Sequence, residues 1–238
     1  MSKDGHRIKG RILQAVSRLQ SQRKPRAMSS DVPRKIITEW TPSSEEHRLQ
    51  LVDDRVELYY LQSVLTDEEC DHIIKLAEGH FSRSTVLDHQ KLQSVVDEIR
   101  TSSTYFIPKS CDRIIKKIEK RMAAVLGVPE SHLEPFQVVK YEPGQYFNEH
   151  YDWFSPQQVE RQGSQRQYTI FAYLNTADGN TEFPKLELSF KPKKGDAVKW
   201  TNCRSLSHRD ELTLHRGAPP KEGVKYGLNV WSCFRPYK

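Results

Sequence analysis

"YEPGQYFNEHYDWFSPQ", Tyr141–Gln157, is the stretch on which the reading of this chain turns. It crowds the rings of Tyr141, Tyr146, Phe147, Tyr151, Trp153 and Phe154 around one histidine, with a Pro-Gly turn near its start. Within it His150 and Asp152 stand two apart. Side chains alternate along a strand, so an extended backbone sends both to one face and turns Tyr151 and Trp153 to the opposite, core-packed face. Two readings follow: a core strand with a stray polar pair, or a metal site that lacks its third ligand.

An imidazole and a carboxylate on one face are two thirds of a 2-His-1-carboxylate set, which leaves coordination positions open on Fe(II). The third ligand must come from a distant strand, and His208 and His215 are the candidates. His208 lies in the polar "SLSHRDEL", which reads as a loop, whereas His215 closes the β-like "LTLH". Lys225 follows His215 by ten residues and Trp231 lies six further on; ten residues after His208 stands Ala218, which offers no cation. His215 is therefore the preferred ligand. His208-Arg209-Asp210 spells a kinase catalytic triplet, but no Gly-rich loop or D-F-G accompanies it, and it reads as a turn between strands.

Composition narrows the classes. The chain has 238 residues, 36% of them apolar, with a net charge of +6. Residues 1–28 hold eight Lys/Arg against the single acid Asp4, so the basicity belongs to an arm and a nucleic-acid groove in the main domain is not indicated. No run approaches the roughly 20 apolar residues that span a bilayer. Cys70, Cys111, Cys203 and Cys233 form no C-x-x-C, which excludes a zinc ribbon or a thioredoxin-type motif and favours reduced thiols. With no signal peptide evident, the expected location is cytoplasmic or nuclear.

Residues 1–50 read as a basic, flexible arm and linker. Ile8, Ile12, Val16 and Leu19 recur at helical spacing, and "SQRKPRAMSSDVPRK" is polar and proline-broken. A solvated tail, a contact with an anionic partner and an organellar transit peptide all fit the arm. Residues 51–238 read as one domain, with helical support over 66–127 and a β core over 136–238. "VELYYLQSVL" suggests a strand. Thr66 and Glu69 make a capping box for a helix with a Cys70, Ile73, Ile74, Ala77 stripe. A second helix places Ile114, Ile115, Ile118, Met122 and Val125 on one face and stops at Gly127. "FQVVKY", "YTIFAYLN", "LELSFKPKKGDAVKW", "LTLHRG" and "YGLNVWSCF" then read as strands, giving an α+β protein built on a sandwich or barrel.

These pieces, in this order, resemble the catalytic domain of the prolyl 4-hydroxylase family. The likeness runs through Tyr141-x-x-Gly144-Gln145, His150-x-Asp152, "RQYTIFAYLN", "TEFPKLELSFKPKKGDAVKW" and "LHRGAPPKEGVKYGLNVW", with "IRTSSTYFIP" resembling the segment that leads into the core of plant-type members. It covers about residue 56 to the C-terminus. The resemblance implies a double-stranded β-helix, or jelly-roll, core with supporting N-terminal helices. It also implies a dioxygenase using Fe(II), 2-oxoglutarate and O2, with ascorbate as reductant. Carried over by position, His150, Asp152 and His215 match the iron ligands, and Lys225 matches the cation for the distal carboxylate of 2-oxoglutarate. Tyr141 and Thr169 match hydrogen-bonding partners of that cosubstrate, and Trp231 a ring lining the pocket.

Two places depart from the family pattern. Phe147 stands where several members carry a substrate-facing Tyr, and Gly-Gly-Glu-Thr before Phe-Pro stands here as Gly179-Asn180-Thr181-Glu182. Phe147 and Arg100 are the residues assigned to substrate. The expected reaction is hydroxylation of a peptide or protein residue, with proline first, by a monomer. Peptidyl lysine, a small molecule, a nucleic-acid base and a non-catalytic module of the same fold are the alternatives.

Overall fold

The computed structural model describes residues 49–88 and 93–237. The arm, its amphipathic segment and its linker lie outside the described residues. Strand β1, Leu49–Asp53, straddles the boundary expected between residues 50 and 51 and pairs with β2, Leu58–Leu61. Helix α1, Asp67–Ala77, begins with the expected capping box: Glu69 N donates to Thr66 Oγ1 at 3.2 Å, and Thr66 N donates to Glu69 Oε2 at 3.1 Å. Helix α2, Arg113–Leu126, is capped by Asp112, which accepts from Ile114 N and Ile115 N at 2.8 Å each. It ends at Gly127, whose φ of 70° is a left-handed conformation that favours glycine. Ile115, Ile118, Met122 and Val125 are buried as expected, each contributing about 1.5–3 kcal/mol. Ile114, at the rim of the stripe, stays 38% exposed.

The remaining strands are β3 Ser82–Arg83, β4 Val86–Asp88, β5 Gln93–Val95, β6 Ser103–Ile107, β7 Phe136–Tyr141, β8 Phe147–His150, β9 Arg166–Tyr173, β10 Thr181–Phe183, β11 Leu188–Phe190, β12 Ala197–Thr201, β13 His215–Gly217 and β14 Lys225–Cys233. Among the described residues one sheet runs β1-β2-β12-β9-β14-β7-β6-β3 and a second runs β11-β10-β13-β8, every named pairing being antiparallel. This is the jelly-roll, with helices on the outer face of the larger sheet. Alternation along its strands builds two cores. Leu61, Val138, Ile170, Ala172, Leu228 and Val230 turn outward to α1 and α2. Tyr60, Phe171, Tyr173, Val198 and Trp200 turn inward to meet Phe183, Leu186 and Phe190 from the second-sheet side.

The inward face of β14 carries Lys225, Gly227, Asn229 and Trp231 at period two. Gly227 has a steric reason: a Cβ there would lie 2.3 Å from Phe171 Cζ. Gly227→Ala is expected to destabilise the fold by about 1–3 kcal/mol through overpacking, measured by denaturant unfolding, because Phe171 must move.

Three local expectations need correction. Strand β8 ends at His150, and Asp152 lies in a bend beyond it, so strand alternation does not extend to Asp152. "LTLH" is a 3-10 turn over Glu211–Thr213 followed by β13, so His215 opens a strand instead of closing one. Tyr151 and Trp153 do not pack in the core: both are half-buried, and Tyr151 Oη donates to Glu211 Oε2 at 2.6 Å in a surface cluster with Lys185 and Arg209. Phe154 is the ring buried there, beneath Arg166. It precedes helix α3, Pro156–Gln162, whose Ser155/Gln158 capping box and N1 proline were legible signals that the strand-based reading passed over.

Candidate metal centre

Strands β8 and β13 are neighbours in the second sheet, and their register sets His215 opposite His150. The imidazole centroids lie 4.2 Å apart. The bend after β8 brings Asp152 back to them: its carboxylate lies 3.9 Å from His150 Nε2 and 3.8 Å from His215 Nε2. One ligand atom from each residue falls within 4.8 Å of the others, the single such cluster of three among the described residues. His208 is not part of it. It lies in the loop after β12, its Nδ1 within 2.8 Å of Ser207 Oγ, so of the two candidates the structure brings His215 to the pair.

Both histidines are prepared as ligands. His150 Nδ1 is 2.7 Å from the Asn148 carbonyl and His215 Nδ1 is 2.9 Å from the Thr213 carbonyl. A carbonyl only accepts, so each Nδ1 carries the proton and each Nε2 keeps its lone pair for a metal. Burial, together with the neighbouring His215, holds His150 well below the usual imidazole range, so it is neutral at pH 7. Burial opposes ionisation of Asp152. His215, His150, Arg166 and the Trp231 N–H outweigh it and leave the carboxyl below its ordinary range.

Behind Asp152 runs a chain of donors. Trp200 Nε1 donates to Asn202 Oδ1 at 2.7 Å, Asn202 Nδ2 to Thr169 Oγ1 at 2.9 Å, and Thr169 Oγ1 to Asp152 Oδ2 at 2.8 Å. Indole is donor-only, so it fixes the Asn202 amide, which in turn leaves the Thr169 proton for the carboxylate. Trp231 Nε1 adds a second bond to the same Oδ2 at 2.9 Å. Oδ1 is left without a hydrogen bond among the described residues. Such outer partners typically govern metal affinity by 10–100-fold. Thr169→Val and Trp231→Phe are each expected to weaken Fe(II) binding by about 10-fold or more, with the far-UV spectrum unchanged, in an equilibrium metal titration.

The cluster opens on a cavity of about 400 Å³, part of which is open to solvent. Its wall includes Tyr141, Phe147, Thr181, Lys225, Asn229 and Trp231. Lys225 is fully buried, donates to the Gly179 carbonyl, and lies 5.2 Å above the Tyr141 ring, its register partner on β7. No carboxylate lies within ion-pairing distance of it among the described residues. Burial pushes its ammonium down to about 7 against the weaker pull of Glu182 and Asp178. Thr181 Oγ1, also on this wall, is buried without a hydrogen-bond partner. A buried cation without a carboxylate partner, with the Thr181 hydroxyl on the same cavity wall, fits a carboxylate ligand. Thr169 is not on the cavity wall. Its hydroxyl donates to Asp152, whereas Thr181 lines the cavity.

Phe147 stacks on His150 with centroids 3.5 Å apart, and the Arg100 guanidinium covers its other face at 4.6 Å. Arg100 therefore sits behind Phe147 and not on the cavity wall. The sequence reading also passed over Arg166, which is paired with Glu134 at 2.6 and 2.8 Å and stacked 3.6 Å above Trp231.

A jelly-roll that gathers two imidazoles, one carboxylate and an anion-ready lysine around one cavity defines a non-haem metal oxygenase. The family model described as the 2OG-Fe(II) oxygenase superfamily matches residues 136–233. Probable prolyl 4-hydroxylase 7 of Arabidopsis thaliana is 36% identical over 197 residues, which cover 74% of this chain and 62% of that one. Probable prolyl 4-hydroxylase 3 of the same plant is 34% identical over 201 residues, covering 76% and 70%. The chain thus spans less than two thirds of the first relative. The crystal structure of a viral collagen prolyl hydroxylase from Paramecium bursaria Chlorella virus-1, in its 2OG complex, superposes with a TM-score of 0.59 at 27% identity, covering 74% of this chain and 95% of that one.

The chain belongs to the prolyl 4-hydroxylase family of 2-oxoglutarate- and Fe(II)-dependent oxygenases. The family uses Fe(II), 2-oxoglutarate and O2, and the two histidines and carboxylate present here suit that metal. Among the described residues no helix is long and apolar enough to cross a membrane.

Proposed function

We propose that this chain hydroxylates a proline residue, at C4, in a peptide or protein, with 2-oxoglutarate converted to succinate and CO2. The observation that carries the reading is the meeting of the His150–Asp152–His215 cluster and the unpaired Lys225 on one cavity. His150 Nε2, His215 Nε2 and Asp152 Oδ1 would hold the metal, and their arrangement leaves other coordination positions for cosubstrate and O2. Bound Fe(II), with 2-oxoglutarate as electron donor, supplies the O2 activation that side chains cannot.

The chain's own residues hold and orient. Lys225 and Thr181 fix the distal carboxylate, Tyr141 lines the cosubstrate's path, and Trp231 and Thr169 keep Asp152 aimed. Phe147, pinned between Arg100 and His150, presents its apolar ring edge where substrate approaches and helps exclude water. Arg216 next to His215 is exposed at the rim of the same cavity, and its guanidinium donates to Glu182 Oε2 at 2.6 Å.

Product analysis tests the substrate. Proline-rich peptides, lysine-containing peptides and alkylated oligonucleotides are supplied with Fe(II), 2-oxoglutarate and O2. One oxygen is expected on proline, matched by one succinate. Oxygen on lysine or a base, with proline untouched, would refute the reading.

A further inference from the structure

Beside Phe147 the inward faces of β7 and β14 carry two side-chain amides that the metal and cosubstrate do not use. Gln137 and Asn229 are register partners, and Asn229 lies on the cavity wall. Their orientations are fixed by chemistry. Arg100 has only donors, and its NH2 nitrogen lies 3.0 Å from Gln137 Oε1, so that atom is the acceptor. The Asn229 atom 3.0 Å from the same Oε1 must then be Nδ2. Two groups are left over: Gln137 Nε2 as donor and Asn229 Oδ1 as acceptor, neither with a partner among the described residues. Gln137 is 4% exposed as a residue, yet its Nε2 is not among the solvent-excluded side-chain atoms without a partner, so the idle nitrogen stays open to a ligand atom.

We infer that Gln137 and Asn229 read the backbone of the bound peptide, Gln137 Nε2 donating to a carbonyl and Asn229 Oδ1 accepting from an N–H. This rests on the peptide reading proposed above and adds a sequence requirement to it. Proline has no N–H, so Asn229 must find its donor on a residue flanking the target. The enzyme should therefore favour a proline next to a residue with a free amide over a proline inside an oligoproline run. A site built to hydrogen-bond a group rejects the analogue that lacks it far more sharply than an apolar pocket rejects a change of shape.

The experiment compares kcat/KM for three peptides of equal length: alternating Ala-Pro, the same with N-methylalanine, and oligoproline. Wild type is expected to favour the first by about 10-fold or more. In Asn229→Ala that ratio should fall to near one. Gln137→Glu keeps an acceptor for both Arg100 and Asn229 but turns the idle donor into an acceptor, and should raise KM for all three peptides about 10-fold. Thermal unfolding of both variants shows that they fold. A wild type indifferent to N-methylation, or an Asn229→Ala protein with the wild-type ratio, overturns the assignment while the peptide reading stands. If no peptide is hydroxylated although 2-oxoglutarate is consumed, the peptide reading fails and this assignment with it.

Discussion

Asp152→Ala is expected to lower Fe(II)-dependent 2-oxoglutarate turnover by more than about 100-fold, because loss of an outer partner alone typically costs 10–100-fold in metal affinity or activity. The buried carboxylate is shared by both histidines at 3.8–3.9 Å and accepts from Thr169 and Trp231. Removing it leaves two imidazoles, two donors without an acceptor, and no anion to offset the charge of the metal. His150→Ala and His215→Ala should behave alike, while His208→Ala, in the loop after β12, should keep wild-type turnover. Succinate release from purified variants measures this. Turnover that survives loss of His215 but not of His208 would contradict the ligand assignment.

Lys225→Met is expected to raise the 2-oxoglutarate KM by about 100-fold or more and, without cosubstrate, to stabilise the protein. Both effects come from burial without an anion. Truncating one partner of a buried hydrogen-bonded charge pair costs about 2–5 kcal/mol of binding. Without the anion, the folded-state value of about 7 lies below the ordinary lysine value of 10.5. The unfolded chain therefore binds more protons between roughly pH 7 and 10.5, and stability rises with pH through that window. Below pH 7 the penalty is complete, on the order of 3–5 kcal/mol, so Lys225→Met should gain most there. The same titration governs binding: cosubstrate affinity should weaken as pH rises above about 7, with uptake of up to one proton per ligand bound. Calorimetry in buffers of different ionisation enthalpy reads the uptake. A Lys225→Met protein with unchanged KM would remove Lys225 from the cosubstrate site.

The parts of the fold legible in sequence were those where local chemistry and tertiary packing agree. Thr66/Glu69 and Gly127 marked helix ends by capping, and "FQVVKY", "YTIFAYLN" and "YGLNVWSCF" are strands buried on both faces of the larger sheet. The short second-sheet elements were harder. Thr181–Phe183 and His215–Gly217 are three residues each, too brief for periodicity, and are strands because of their neighbours. Asp152 illustrates the limit: the strand argument placed it on the ligand face, but a bend does so, and Tyr151 consequently faces Glu211 and Lys185. The three candidate ligands could be picked out together because His-x-Asp, a distant His and a Lys ten residues on form a joint pattern. Thr169 and Thr181 could not be told apart, since which hydroxyl meets Asp152 and which meets the cavity depends on β9 and β10 lying in different sheets. Gln137 and Asn229 give no local signal, and only the β7–β14 register pairs them.

Anaerobic binding of 2-oxoglutarate to the full chain, with and without one equivalent of Fe(II), tests the central claim most directly. The account predicts one metal and one cosubstrate per chain, each tightening the other, with the coupling lost in Asp152→Ala and cosubstrate affinity lost in Lys225→Met. Tight 2-oxoglutarate binding that ignores the metal, or metal binding untouched by Asp152→Ala, would contradict it.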